Sequence, residues 1–161
     1  MSTPEAALLE RFYAAFARFD AEAMAACYHP QARFSDPVFP ALEGDEVGDM
    51  WRMMAVRAQD FRLQPGGRVM VAGEGRADCV AHYTFSPTGR PVANPIASEF
   101  RFRDGLIVEQ RDRFDFWAWS RQALGAAGVL LGWTPLMRGK VRGQAAQGLA
   151  AFRTKRGRPA R

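Results

Sequence analysis

The spacing of apolar residues changes near residue 60 of this chain of 161 residues, and that change restricts the fold more than any single motif. Up to Ala58 they recur at three- and four-residue steps; from Phe61 they alternate with polar ones. The first regime predicts helices. Thr3-Pro4-Glu5 supplies a cap, a proline for the first turn and an early acid, after which Leu8, Leu9, Phe12, Phe16 and Phe19 form one stripe. Asp20 caps a second, shorter helix through Met24 and Tyr28, which His29-Pro30 ends because a residue before proline resists helical angles. A short strand through Phe34 follows. Gly44 to Ala58 reads as a third helix, with Asp45 and Glu46 in its first turn and Val47, Met50, Trp51 and Met54 on one face.

The second regime predicts strands at Val69 to Val71, Cys79 to Phe85, Val92 to Phe102 and Leu106 to Trp117. Gly73-Glu74-Gly75, Pro87-Thr88-Gly89 and Asp104-Gly105 divide them, the last as a hairpin turn, and Pro95 marks an edge or a bulge. Three helices followed by four long antiparallel strands predict an α+β domain whose sheet curls over the helices and can leave a hollow. After Trp117 the chain turns helical to Leu124 and stops at Gly125; a last helix runs from Pro135 to Phe152, weakened by Gly139, Gly143 and Gly148. The expected organisation is a pocket domain over 1–125, a helical extension over 126–152 and a disordered basic tail over 153–161.

Charge is unevenly placed. From Arg138 to Arg161 there are eight Lys or Arg and no acid, which leaves a slightly acidic body of 14 basic and 17 acidic residues. The tail reads first as a solvated extension; Trp133, Leu136 and Met137 beside Arg138, Lys140 and Arg142 give the alternative of contact with an anionic membrane surface. No groove-reading motif or aromatic platform points to nucleic acid. Cys27 and Cys79 sit apart in apolar segments, as buried thiols do, and two histidines without cysteine neighbours make no metal site. No secretory signal opens the chain and no apolar run approaches a membrane span, so a cytoplasmic protein is expected.

The candidate chemistry centres on Asp36, within Ala32-Arg33-Phe34-Ser35-Asp36-Pro37-Val38. An acid between apolar neighbours either initiates a turn or points into an apolar hollow, where lost hydration raises its pKa and makes it a usable proton acceptor.

The order of elements, together with Ser35-Asp36-Pro37-Val38, resembles the nuclear transport factor 2-like superfamily over about residues 5 to 125. This group includes ketosteroid isomerases, SnoaL-like polyketide cyclases and limonene epoxide hydrolases. The resemblance implies a cone-shaped fold with a deep pocket, a homodimer, a hydrophobic small molecule as ligand and no cofactor. Asp36 falls where ketosteroid isomerases keep their proton-shuttling base. Their oxyanion tyrosine falls on Phe12, with Tyr13 one place along, and their protonated aspartate falls on Ser98 in Ile96-Ala97-Ser98-Glu99-Phe100. Both oxyanion donors are therefore missing, so steroid isomerase activity does not carry over. The run from Gly105 to Asp115 and on to Gly125 is similar to the stretch where SnoaL-like cyclases place an acid/base aspartate, which by spacing is Asp115. Strand parity favours another residue: if Ser98 and Phe100 face the hollow, pairing across Asp104-Gly105 sets Gln110, Asp112 and Phe114 beside them, unless a bulge intervenes. By the same alternation Tyr83, Phe85, Asn94 and Ile96 line the hollow, and Trp51 and Met54 approach it from the third helix. Arg111 and Arg113 then pair with Glu99, Glu109 or Asp115 on the outer face.

Two functions fit. In one, Asp36 takes a proton from carbon or water and a second carboxyl such as Asp112 donates one, while Tyr83, Asn94 and Ser98 orient an apolar oxygenated substrate for isomerisation, cyclisation or hydrolysis. In the other the fold is a non-catalytic binding or dimerisation module, with Asp36 held by backbone N–H groups or an arginine and its pKa lowered.

Overall fold

The computed structural model describes residues 2–159. Three helices precede most of the sheet: α1 (Pro4–Ala17), α2 (Ala21–Ala25) and α3 (Asp45–Arg57). Thr3 caps α1 by accepting the Ala6 N–H at 3.2 Å, and Asp20 caps α2 by accepting that of Ala23 at 3.1 Å. Phe19, in the left-handed region at φ 49°, makes the bend between them. The strands are β1 (Tyr28–Ser35), β2 (Leu42–Glu43), β3 (Gln59–Val71), β4 (Glu74–Phe85), β5 (Arg90–Arg103) and β6 (Leu106–Arg113). They form one sheet in the order β2-β1-β6-β5-β4-β3.

The sheet is mixed, which corrects the expectation of antiparallel strands alone. β1 runs parallel to β6, with Phe34 opposite Gln110 and Ser35 opposite Arg111. Tyr28 opens this strand; it does not end α2 as expected. The Ile107 N–H donates to Cys27 O at 2.9 Å, so the chain is already paired with β6 when it reaches Tyr28, and Pro30 is absorbed by a register shift. Pro95 stands where β5 has a single neighbour: it lies opposite Val80 of β4, and β6 pairs with β5 only from Ala97 on. Its position is an edge in the sense that matters, the missing N–H. The Asp104-Gly105 turn has positive φ at both residues, as a tight two-residue hairpin requires.

The main core lies between the sheet and α1 to α3. Leu8, Leu9, Phe12, Phe16, Met50 and Trp51 meet Phe34, Ala77, Cys79 and Phe100 there. On α3 the buried methionine after Met50 is Met53; Met54, expected on the inner face, is exposed. β6 also ends sooner than expected. Asp115 caps α4 (Phe116–Leu124), so Phe116 and Trp117 are helical. A second cluster joins Val92 of β5 to Phe116, Trp119 and Ala123 of α4.

α5 (Ala126–Leu131) and α6 (Pro135–Lys155) follow. α6 is continuous through Gly139, Gly143 and Gly148, and its Met137 and Val141 pack on the second cluster while Leu149 and Phe152 reach the main core. The expectation of disorder from Arg153 onward is overturned. Arg153 is 3% exposed and donates to Asp49 at 2.6 Å and to Asp45 at 3.1 Å; Arg158 reaches Asp49 at 2.9 Å. Asp49 is wholly buried on α3, and Arg52 binds it as well, at 3.0 Å. The guanidinium groups of the tail thus complete the pairing of a buried carboxylate that Arg52 alone would satisfy only in part, and this orders the tail. Ala160 and Arg161 of the expected tail lie outside the described residues. Among the described residues no helix is long and apolar enough to cross a membrane.

Replacing Asp49 by Ala removes the one acceptor that Arg52, Arg153 and Arg158 share. Asp49→Ala is expected to destabilise the fold by about 3 kcal/mol or more, measured by thermal or urea unfolding, and to lose amide-exchange protection in α6 before α1.

Candidate acid–base site

Parallel pairing of β1 with β6 sets the site. Ser35 lies opposite Arg111, so the next residue of each strand, Asp36 and Asp112, emerge side by side at the sheet end. Asp36 begins a tight turn in which its Oδ1 accepts the N–H groups of Val38 and Phe39, at 2.7 and 2.6 Å, while its own N–H donates to Phe39 O at 2.9 Å. Pro37 makes the turn and removes a competing donor. Oδ2 carries no such bond among the described residues.

Asp112 reaches this place through a bulge. The two-residue turn pairs Arg103 with Leu106 and Phe102 with Ile107, a register that, continued, would set Ser98 against Arg111. Val108 is the extra residue: beyond it Arg101 pairs with Glu109, Phe100 with Gln110 and Ser98 with Asp112. The parity expected for Gln110 and Asp112 is therefore observed, but the bulge produces it, where the sequence reading held that a bulge would reverse it. Ser98 Oγ donates to Asp112 Oδ1 at 2.7 Å, and Gln110 Nε2 donates to the same oxygen at 2.9 Å. Gln110 Oε1 accepts the Tyr28 hydroxyl, whose oxygen in turn accepts Trp51 Nε1–H at 3.0 Å. Tyr13 places its hydroxyl beside Ser98.

Both carboxyls are half-buried, and both are raised from an ordinary 3.8. Asp36 is pushed to about 7, by lost hydration first and by the charge of Asp112, against the pull of its turn N–H groups and of Arg142. Asp112 is pushed to about 6 by lost hydration, against its bonds from Gln110 and Ser98. The tyrosines are raised as well, chiefly by burial, so Tyr13, Tyr28 and Tyr83 remain protonated donors. Tyr83 faces the Asp36 side and its oxygen accepts Trp119 Nε1–H at 2.8 Å. Phe85 packs edge-on to Trp119, and Phe114 joins the same cluster. Asn94 is buried, yet its amide makes no side-chain hydrogen bond among the described residues, so it does not pair with Tyr83.

Other expected site residues lie elsewhere. Asp115 is exposed and accepts the Ala118 N–H at 3.0 Å, which spends it as a helix cap. Phe12 and Trp51 are core, meeting each other and Phe16, Phe34 or Phe100 ring to ring, and Met54 is exposed on α3. Ile96 packs on the main core and borders a cavity of about 330 Å³ beside Pro65 and Cys79. A cavity of about 400 Å³ lies between α6 and the loop after β1, beside Phe39, Leu42, Arg142 and Leu149. Neither cavity is lined by Asp36 or Asp112. The outer face carries Arg111 against Glu109 at 2.6 Å and Arg113 against Glu99 at 3.6 Å, as expected. Sequence reasoning missed Tyr28, Trp119 and Arg142. The first was hidden by reading Tyr28 as helical; Arg142, whose Nε donates to Pro37 O at 2.8 Å across the whole chain, left no local signal. Among the described residues no group of three or more His, Cys, Asp or Glu could hold a metal ion.

A family model for the SnoaL-like domain matches residues 9–110, more than half of the chain. The chain belongs to the SnoaL-like domain family. That match ends two residues before Asp112. Several solved structures superpose well at low identity. A protein of ketosteroid isomerase-like fold from Catenulispora acidiphila, in complex with trimethylamine, is 15% identical with TM-score 0.66, covering 80% of this chain and 97% of its own. An epoxide hydrolase of M. tuberculosis, described as LEH-like, is 18% identical with TM-score 0.65, covering 81% and 96%. TerC, co-crystallised with polyporic acid, is 18% identical with TM-score 0.65, covering 76% and 100%. At these identities the likeness is one of fold, and about a fifth of this SnoaL-like chain has no counterpart in them. No curated protein matches the chain in sequence.

Because both acids bind a proton more tightly in the folded chain, the stability they contribute is complete below 3.8 and lost as pH rises through about 6 and about 7. Asp36→Asn and Asp112→Asn keep the acceptor oxygens. The Tm difference between the double variant and wild type is expected to grow in the variant's favour from pH 5 to pH 8, reaching a few degrees, at about 3 °C per kcal/mol. A double variant less stable than wild type at pH 8 would contradict the burial of both charges.

Proposed function

We propose that this SnoaL-like protein is an acid–base enzyme in which Asp36 and Asp112 share one dissociable proton while acting on an apolar, oxygenated small molecule. The observation that carries the reading is the pair itself. Among the described residues each carboxyl has one oxygen held by fixed donors and the other without a hydrogen bond; both titrate near neutrality, Asp112 through lost hydration and Asp36 through lost hydration and the charge of Asp112. A group that titrates near the working pH is the most effective proton carrier.

Their order of ionisation assigns roles. The sequence alone pointed to Asp36 as base; the bonds from Ser98 and Gln110 favour the charged form of Asp112, which ionises first, and its charge then delays Asp36. Between about pH 6 and about 7 Asp112 is the acceptor, able to take a proton from carbon or from water, and Asp36 the donor to a substrate oxygen. In this reading Tyr83, near Asp36, and the buried Asn94 supply the polar groups that orient the substrate. Isomerisation, cyclisation and epoxide opening all meet this requirement, and solved proteins of the same fold include one described as an epoxide hydrolase. The binding-module reading is half supported: Asp36 is held by backbone N–H groups as it requires, yet its pKa is raised, not lowered. A homodimer belongs to the same proposal.

Turnover of hydrophobic ketones, epoxides and lactones tests it. The expected pH profile is a bell with limbs near 6 and 7. Asp112→Asn removes the acidic limb and Asp36→Asn the alkaline one, each lowering kcat/KM by about a hundredfold or more. Activity that only rises through about 7 would return the base role to Asp36. Equal ligand-induced Tm shifts in wild type and Asp36→Asn, with turnover in neither, would leave a binding module.

A further inference from the structure

Among the described residues ten large apolar side chains are well exposed, and six of them fall between Trp117 and Leu136: Trp117, Val129, Leu130, Leu131, Trp133 and Leu136. Their exposure follows from how α5 is seated. Gly128 is its buried residue, and a Cβ there or on Gly132 would collide with Ser120 of α4. α5 therefore buries glycine, and its valine and leucines have only the outer side to occupy. Two indoles are fixed along the same turn: Trp117 Nε1 donates to Val129 O at 3.3 Å and Trp133 Nε1 to Leu130 O at 3.0 Å.

α6 sorts its residues by face. Met137 and Val141, four apart, pack inward, and Arg142 is tied to Pro37 O. Leu136 and Lys140, also four apart, are exposed, Leu136 at 82%. Around the apolar tip Arg121 lies over the Trp117 ring at 4.4 Å and Arg138 over the Phe116 ring at 5.3 Å. Among the described residues neither of these nor Lys140 meets a carboxylate. After Asp115 the sequence holds nine Lys or Arg and no acid. A second copy laid tip to tip would set these cations against one another. The surface that satisfies both halves of the tip is apolar inside and negatively charged at its rim.

We propose that the α4–α5–α6 tip docks this chain on an anionic lipid bilayer. Leu130, Trp133 and Leu136 enter the boundary between headgroups and acyl chains, and Arg121, Arg138 and Lys140 meet lipid phosphates. Neither part holds firmly alone; together they do. The same elements hold Trp119 on the Tyr83 hydroxyl and Arg142 on the carbonyl of Pro37, the residue after Asp36, so a reservoir of apolar molecules meets the chain beside the proposed site.

Co-sedimentation of the full chain with vesicles decides it. Vesicles containing one-third phosphatidylglycerol are expected to bind at least about tenfold more tightly than pure phosphatidylcholine, with binding weakened by added salt. Trp133→Gln with Leu136→Gln, and separately Lys140→Glu, change only exposed side chains; each is expected to lower affinity about tenfold or more with unaltered melting. No binding to the anionic vesicles, equal binding to neutral ones, or binding unaffected by either variant overturns the proposal. A concentration-dependent dimer that Trp133→Gln with Leu136→Gln dissociates would also overturn it, by giving the tip to a second copy.

Discussion

Asp49 sits on α3 with no exposed surface, and three guanidinium groups donate to it: Arg52 from its own helix, Arg153 from α6 and Arg158 beyond. A carboxylate buried so completely is tolerated only while it is paired, so undocking α6 costs it every partner but Arg52. With its far end held, α6 passes over the loop after β1, where Arg142 grips Pro37 O and Met137 and Val141 pack on the cluster of Val92, Phe116 and Trp119. Asp36 loses water there. The ion cluster at one end of α6 and the raised pKa at the other are thus parts of one mechanical arrangement.

The site shows how two like residues acquire different roles without any difference in their own chemistry. Both acids are desolvated, and desolvation alone would make them equivalent. What separates them is the surroundings: a hydroxyl and an amide converge on Asp112, while the two backbone N–H groups on Asp36 are offset by the charge of its neighbour Asp112. Behind Asp112 the bonds continue through Gln110 to Tyr28 and Trp51, which fixes the amide so that its N–H and not its oxygen faces the carboxylate. Trp51 and Tyr28 hold the partner of an acid without touching its surroundings themselves.

Much of the fold was legible from residues close together in sequence. The stripe of α1, the cap at Thr3, the Asp104-Gly105 hairpin and the alternation in β4 and β5 are decided by neighbours within a few positions, and they are found where the spacing puts them. Asp115 illustrates the limit: its motif-like spacing was real, but the chain used it as the cap of α4, a local role that competes for the same carboxylate. Tyr28 was misplaced because proline signals were read as a helix end, whereas the parallel partner that makes it a strand lies some eighty residues away.

The sequence by itself determined α1, α3 and α6, the antiparallel strands with their hairpin, the family resemblance and the choice of Asp36, since each depends on periodicity, turn chemistry or a short motif. Only the tertiary structure decided the parallel β1–β6 pairing, the bulge at Val108 that sets Asp112 beside Ser98, and the docking of the basic tail on Asp49. Those features depend on which distant backbone or charge is nearby once the chain is compact, and neither burial nor the pairing of a charge exists until then.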